Sequence, residues 1–579
     1  VCGISGIVGP DCPSSLIEKM VAVQHHRGPD SSGTYISPSK NCALGHNRLR
    51  IIDLSEAGAQ PMADESGKLR ITFNGEIYNY IELKEKIGFY NYKSKTDTEV
   101  ILAAYRKWGA SCIDHMIGMF SFAIWDEEKQ ELFCARDRLG IKPFHYTIQK
   151  GVFYFGSEIK SLLAAGIAAK PDWTTWNTYL VHGIYDHDEN TFFEGVKTLP
   201  PGHFLVLKNG AVKISQYWNL PELVKEPLNL SLDESAEKFR ALMMDSVRLR
   251  LRSDVPLGVN LSGGLDSSSL LAFVDAQNKA PSDLNYFTYA FDDPAYDETD
   301  FADQVPKTKK WHKHIARLSP DQLWNDLDSM MLHQEAPYGG TGTIAYYNLH
   351  RLIKSKNVTV VLEGQGVDEL LAGYEYYRKP ASAGTYQDGT SFLKNECLDK
   401  SITAVAPVFA KPFASELSNR LYRDIRHTKL PRVLRMNDRL SMAFSRELRE
   451  PFLDHRVVEF CFRLPDEFKL DKDRNKILLR HAMRNSLPDP VRLTGKRAVV
   501  TPQREWIRGP LRQKIFDVIS SQKFREYGVF DVAEVKKSFE AFCNGHGDNA
   551  FFIWQWINFD SWSKTFAAGS KKLPRQDAA

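Results

Sequence analysis

The sequence begins Val1-Cys2-Gly3-Ile4-Ser5-Gly6-Ile7, which puts a thiol one residue from the amino end. Removal of residue 1 would give Cys2 a free α-amine, and a pKa of about 7.7 to 8 makes that amine a usable base for its own thiol. Nucleophile and base would then be one residue. Arg48, in Gly45-His46-Asn47-Arg48-Leu49, offers a planar guanidinium fit to clamp a carboxylate. Asn74-Gly75-Glu76, placed at the end of a strand, offers an amide side chain and a backbone N–H, the parts of an oxyanion hole. A second constellation lies far down the chain, where the apolar run Val255–Leu261 leads into Ser262-Gly263-Gly264-Leu265-Asp266-Ser267-Ser268 and then a helix. Glycines there let the backbone approach a ligand closely, successive N–H groups form an anion nest, and a helix N-terminus adds its dipole. Asp266 is available for Mg2+. The loop lacks the Gly-Lys-Ser/Thr ending of a Walker loop, which argues against γ-phosphoryl transfer.

Taken singly, each group has an ordinary reading: Cys2 as a buried strand thiol, Arg48 as a solvated strand arginine, Asn74-Gly75 as a hairpin turn. Together they occur in a series of blocks: Cys2-Gly3-Ile4-Ser5-Gly6, His26-Arg27-Gly28-Pro29-Asp30, Gly45 to Leu49, Phe73 to Asn79, Asp97 in Thr96-Asp97-Thr98-Glu99, and Arg136 to Pro143. In that order they resemble the glutaminase domain of class II, N-terminal-nucleophile glutamine amidotransferases. The resemblance implies that Cys2 attacks the glutamine side-chain amide, that Asn74 and the Gly75 amide hold the oxyanion, that Arg48 binds the substrate carboxylate, and that Glu76 and Asp97 bind its ammonium. The His26 to Asp30 block reads as structural support. The family starts Met then Cys, so Val1 is expected to be a start-codon residue that is trimmed to free Cys2; a retained valine would acylate the amine.

The Ser262 to Ser268 block is similar to the pyrophosphate-releasing loop of adenylating ATP enzymes. Further blocks match the synthetase domain of asparagine synthetases: Tyr296-Asp297-Glu298, Glu363 to Glu369 with Ala372-Gly373-Tyr374, Asp438 to Ser445, Glu450 to His455, and Lys476 through Arg480. The resemblance covers about residues 2 to 565. It implies ATP bound by Leu261, Ser262, Gly263, Gly264, Leu265, Asp266, Ser267, Gly364, Gln365 and Lys496, with Asp266 and Asp368 holding Mg2+. Glu298 and Glu369 read equally well as helix acids. The implied reaction converts a carboxylate to an amide through an acyl-adenylate, releasing AMP, pyrophosphate and glutamate. Aspartate is the default acceptor. The resemblance also implies ammonia passed between domains, a cytoplasmic homodimer and small-molecule substrates.

Two departures bear on the acceptor. Many asparagine synthetases carry Glu where this chain has Gln365, and an amide is no useful base at pH 7. Glu363, two residues earlier and so on the same side of a strand, could substitute. The stretch from Glu335 to Thr343, with Gly339, Gly340 and Gly342, should border the acceptor pocket and leave it roomy. Both features resemble a bacterial branch of the family in which some members amidate other carboxylates, such as sugar uronates in surface polysaccharides, so the alternative acceptor is a sugar uronate, a peptide or a natural-product acid. A blocked Cys2 would leave a third possibility, a ligand-sensing or scaffold protein.

These residues need elements to position them. Residues up to about 210 read as short strands, at Gly3–Val8, Cys42–Asp53, Leu69–Phe73, Met119–Trp125, Glu131–Ala135 and Val152–Gly156, with helices at Ser14–Gln24 and Asp97–Trp108. That pattern predicts an α+β sandwich of sheets with flanking helices. Residues 211–230 read as a linker, and residues 231–566 as an α/β domain with a mostly parallel sheet. Its signs are the capping box Ser231 to Glu234, the strands Val255–Leu261, Tyr286–Phe291 and Val358–Glu363, and the helices Ser267–Val274 and Ile344–Ile353. Residues 567–579 read as a frayed tail.

Composition fits this picture and excludes others. The chain has 579 residues, 75 Lys plus Arg against 72 Asp plus Glu, and a net charge of +3. At about 100 to 200 residues per domain that is room for several real cores, which rules out a small disulfide-stapled module, and the balanced charge gives no reason to expect nucleic acid. No apolar run is long enough for a membrane span or a secretory signal, so a soluble intracellular protein is expected. The eight cysteines form no CxxC pair and read mostly as reduced core thiols.

Overall fold

The computed structural model describes residues 2–277, 283–296, 299, 303–305, 310–379, 393–495 and 501–567. Two antiparallel sheets build the first part. Their strands are β1 (Gly3–Val8), β2 (Ser31–Ile36), β3 (Cys42–Arg48), β4 (Met62–Ala63), β5 (Leu69–Ile77), β6 (Gly118–Asp126), β7 (Glu131–Arg136), β8 (His145–Gln149), β9 (Val152–Gly156), β10 (Lys197–Thr198), β11 (His203–Lys208) and β12 (Ala211–Gln216). One sheet runs β10-β8-β9-β1-β3-β2 and the other β12-β11-β7-β6-β5-β4. Apolar residues alternate inward from both: Ile4 and Leu44 from one sheet meet Trp125, Cys134 and Leu205 from the other in a single cluster. The outer face of the second sheet packs on the helix Asp97–Trp108, which Thr96 caps by accepting from the Glu99 N–H. The first sheet is backed by Ser14–Ala22 and Trp173–His182, and this layer continues into the carboxy-terminal helix Phe551–Phe566 through Trp176, Phe559 and Trp562. The two parts of the chain therefore share a core.

The second part is built on β13 (Leu257–Asn260), β14 (Asp283–Ala290), β15 (Lys310–Arg317), β16 (Val360–Leu362) and β17 (Glu447–Arg449), ordered β15-β14-β13-β16-β17 and parallel throughout. The chain runs outward from β13 in one direction and returns on its other side with β16, so the crevice beyond the carboxyl ends of β13 and β16 is a topological switch point, where such sheets bind ligands. Ser231 and Glu234 form the expected capping box on the helix Leu232–Arg250, a device worth about 1 kcal/mol.

Several elements differ from the sequence reading. Residues 211–216, expected to open the linker, form the edge strand β12, because their half-polar pattern suits a strand covered on one side only. β5 does not stop at Phe73 but carries Asn74, Gly75 and Glu76 inside it, paired with Ser121, Phe120 and Met119. The helix after the serine-glycine loop starts at Leu265, which brings Asp266 into its first turn. The edge strands β2 and β15, and β11 between β7 and β12, lie outside the strands that the sequence pattern predicts. Of the eight cysteines, all but Cys543 are buried and all are free thiols. Ala567 ends the last helix; the rest of the expected tail lies outside the described residues, as do Val1, Asp297, Glu298 and Lys496. Among the described residues no helix is long and apolar enough to cross a membrane.

Candidate functional site

The first cluster gathers where β1, β3 and β5 meet. Cys2 is buried, and its backbone nitrogen donates to Asn74 Oδ1 at 2.9 Å. Because that oxygen accepts, Nδ2 is the donor end of the Asn74 amide, and it makes one long hydrogen bond, to Ser157 Oγ at 3.4 Å. Gly75 has φ +150°, and a Cβ there would stand 2.1 Å from the Met119 carbonyl oxygen, so only glycine lets β5 lie this close to β6. Arg48 forks onto the backbone carbonyls of Ser55 (2.7 Å) and Asp53 (2.5 Å), which fixes the plane of its guanidinium. Arg27, from the block read as support, is fully buried and donates from Nε to the Cys2 carbonyl at 3.0 Å.

Glu76 and Asp97 complete the cluster as buried acids. Burial raises the Asp97 carboxyl to about 6, although its Oδ2 accepts from the Ile77 N–H at 2.8 Å. Burial, with Asp97 and Glu447 nearby, holds the Glu76 carboxyl well above the usual range. Among the described residues, Glu76 Oε2 has no hydrogen-bond partner, and the nearest cation to Oε1 is Arg449 at 3.8 Å. Arg449 and Glu447 come from β17 of the parallel sheet, so the second part of the chain closes this cluster. Two desolvated acids side by side suit a cationic ligand group. Sequence reasoning missed both β17 residues, since a three-residue strand gives no periodic signal.

The second cluster lies at the switch point, in a cavity of about 660 Å3 lined by the residues from Leu261 to Ser267 together with Glu363, Gly364, Gln365 and Asp368. Gly263 takes φ +77°, the Ser262 N–H donates to Ser267 Oγ at 3.2 Å, and Ser267 donates to the Gly264 carbonyl at 3.2 Å. These bonds hold the loop as a nest over the first turn of Leu265–Asp275. Lys476 bridges the two acids expected at a metal: its Nζ is 2.6 Å from Asp266 and 2.7 Å from Asp368. Burial works against its charge, but the two carboxylates outweigh that and raise it to about 12. A Cβ on Gly373 would sit 1.8 Å from Asp368 Oδ1 and 2.3 Å from Lys476 Cε, so this glycine keeps room for the bridge. Lys476 was visible only as part of a matching block; its left-handed backbone, φ +53°, is the local strain that sequence pattern does not reveal. Glu369 points away, buried and accepting from the Tyr374 hydroxyl at 2.7 Å.

The helix Leu430–Met442 joins the clusters with three consecutive residues. Asn437 donates to Glu363 Oε2 at 3.3 Å. Asp438 accepts the Arg27 fork at 2.8 and 3.0 Å. Arg439 donates to the Ser157 carbonyl at 2.9 Å and to Glu335 at 3.0 Å.

Residues 1–218 match the family described as glutamine amidotransferase domain, and residues 238–564 match asparagine synthase. The chain belongs to the asparagine synthase family. It is 30% identical to asparagine synthetase [glutamine-hydrolyzing] 1 of Bacillus subtilis over 94% of this chain and 93% of that one. It is 31% identical to asparagine synthetase 3 of the same organism over 85% of each chain. At 29% identity it also resembles the amidase chry2 of Gibberella zeae, over 87% of this chain and 88% of that one. It is thus an enzyme of the glutamine-dependent asparagine synthase type.

Proposed function

We propose that the chain moves the amide nitrogen of glutamine onto a carboxylate that ATP has activated as an acyl-adenylate, with L-aspartate the first acceptor to test. One observation carries this: the loop from Ser262 to Ser267 opens the same cavity that holds the Asp266-Lys476-Asp368 bridge, in a chain whose other end buries Cys2 with its backbone nitrogen on Asn74.

At the first cluster, the Cys2 thiol attacks the glutamine amide while its own nitrogen, once a free amine, takes the proton. Asn74 Nδ2 and the Gly75 N–H receive the developing oxyanion. Arg48 binds the α-carboxylate, and the buried acids Glu76 and Asp97 bind the α-ammonium. The amine returns its proton to the amide nitrogen, the oxyanion pair re-forms the carbonyl as the C–N bond breaks and ammonia leaves, and water then releases glutamate from the thioester.

At the second cluster, the backbone from Leu261 to Leu265 and the side chains of Ser262 and Ser267 cradle the phosphates. Gly364 and Gln365 border the nucleotide, and Lys496 is proposed to reach the phosphates. Among the described residues no three His, Cys, Asp or Glu form a metal cage. Mg2+ commonly takes one or two carboxylates plus phosphate oxygens, so the hard oxygens of Asp266 and Asp368 fit it. When bound, it would neutralise charge on the departing pyrophosphate. Lys476 keeps the two acids together and supplies a positive charge beside them. A carboxylate resists ammonia because oxide would have to leave; the adenylate leaves readily. We place the enzyme among cytoplasmic homodimers acting on small molecules.

A second reading keeps the chemistry and changes the acceptor to a sugar uronate, peptide or natural-product acid. Gln365 in the cavity supports it, as do the amidase names among similar proteins. A screen decides: ATP, Mg2+, glutamine and aspartate should give pyrophosphate and AMP. Glutaminase activity without aspartate-dependent pyrophosphate moves the acceptor to the second class. ADP as product would overturn both.

A further inference from the structure

Forming the amide requires a proton to leave the attacking nitrogen. The lone pair of ammonia makes the C–N bond and drives the carbonyl pair onto oxygen, giving an adduct with three protons on a positive nitrogen. One proton must be taken up before the oxygen pair returns and the C–O bond to AMP breaks with its electrons. Gln365, which lines the cavity, cannot accept that proton usefully. Among the described residues the cavity is lined by three acids, and two of them, Asp266 and Asp368, are tied to Lys476. The third is Glu363.

Glu363 stands one residue beyond β16, where its N–H donates to the Arg449 carbonyl at 2.9 Å and anchors it to β17. Both carboxylate oxygens are held. The Tyr346 hydroxyl donates to Oε1 and is itself set by Asn260, which donates to it at 2.6 Å; Asn437 donates to Oε2 at 3.3 Å. Three elements thus orient one carboxyl at the wall of the nucleotide cavity: β13, the helix Thr341–Ser355 and the helix Leu430–Met442. We propose that Glu363, oriented by Tyr346 and Asn437, is the base that takes the proton from nitrogen as ammonia joins the activated carboxylate. The assignment rests on the acyl-adenylate reading above. Burial, opposed by the Tyr346 hydrogen bond and reinforced by the acid Glu450, raises its carboxyl to about 8, close to the working pH at which a general base is most effective. Besides Tyr346 and Asn437, the ring of His350 packs against Tyr346, and burial keeps that histidine neutral near pH 7 by lowering it to about 3.

The test uses the full chain and Glu363→Gln, with two readouts. Acceptor-dependent exchange of labelled pyrophosphate into ATP reports adenylation; amide formation from ammonium chloride and from glutamine reports the later step. Exchange should stay within about threefold of wild type, while amide formation falls on the order of 100-fold or more with either nitrogen source. The wild-type rate of amide formation should rise with pH through about 8 as the carboxyl ionises, and the variant should lose that rise. Glu363→Gln combined with Gln365→Glu should recover part of the activity, which a folding defect would not allow. Amide formation preserved in Glu363→Gln overturns the proposal. So does a parallel loss of exchange, which would make Glu363 a binding residue. No acceptor-dependent exchange in the wild type, whatever carboxylate is offered, would instead overturn the acyl-adenylate reading beneath it.

Discussion

At the thiol, substitution should separate two reactions that share a product. Cys2→Ala removes the nucleophile but leaves Lys476, Asp266 and the loop untouched, so amide formation from glutamine should vanish while that from ammonium chloride continues. A coupled pyrophosphate assay with each nitrogen source checks this. Loss of both would show that the sites do not act in series. Lys476→Met should do the reverse. With the bridge gone, Asp266 and Asp368 repel each other and the phosphates lose a cation, so pyrophosphate release should fall at least about 100-fold while glutamine hydrolysis persists. Asp97 adds a pH signature. Its carboxyl, raised to about 6 by burial, is neutral below that pH and cannot hold an ammonium. The KM for glutamine should therefore climb as pH falls through about 6, and Asp97→Asn should raise KM throughout and flatten its pH dependence.

Among the elements, the helix Leu430–Met442 carries an unusual load, because Asp438 meets the fully buried fork of Arg27 inside the shared core. Arg27 also pairs with the buried Glu158 at 2.9 Å, so removing Asp438 leaves it one carboxylate instead of two, a partial loss that costs up to about 3 kcal/mol. Asp438→Ala should lower stability by about that amount in urea unfolding, and more than exposed changes such as Lys225→Ala. The charge of Arg27, with Lys142 beside it, outweighs burial and holds the Asp438 carboxyl below its ordinary value. That contribution is present above the unfolded carboxylate pKa of about 3.9 and is lost as pH falls through the lower folded value. The acid limb of the stability curve should therefore shift in Asp438→Asn. This helix also marks the boundary of what the sequence discloses. Cys2, Asn74, the serine-glycine loop and the acid Asp368 stand in compact blocks with residue types that chemistry demands, so their neighbourhoods were legible. Tyr346, Asn437, Arg449 and the role of Lys476 were not, because each acts through a partner 17 to 373 positions away. The parallel sheet was expected from its apolar runs, whereas β2, β12 and β15 were missed as half-exposed edge strands whose partners, not their own pattern, hold them.

For the molecule as a whole, the shared core makes the two clusters one mechanical unit. Arg27 Nε holds the Cys2 carbonyl, its fork holds Asp438, and the preceding residue Asn437 holds Glu363 at the wall of the second cavity. A ligand that repositions Glu363 thus bears on the thiol through one helix and one arginine. Interior packing passes such shifts on, and misplacement of a reacting group by about 1 Å can cost on the order of 100-fold in rate. Arg27→Lys keeps a positive charge opposite Asp438 but cannot reach the Cys2 carbonyl and both Asp438 oxygens at once, because an ammonium is a point donor and not a fork. Ammonia-driven amide formation should then stay near the wild-type rate. With glutamine, the ratio of amide formed to glutamate released should drop well below that of the wild type, and adding ATP and acceptor should no longer change the glutaminase rate. Simultaneous assays of glutamate, amide and pyrophosphate on one sample measure this. An unchanged ratio in Arg27→Lys would show that nitrogen transfer depends on the two pockets being adjacent and not on the contact that joins them.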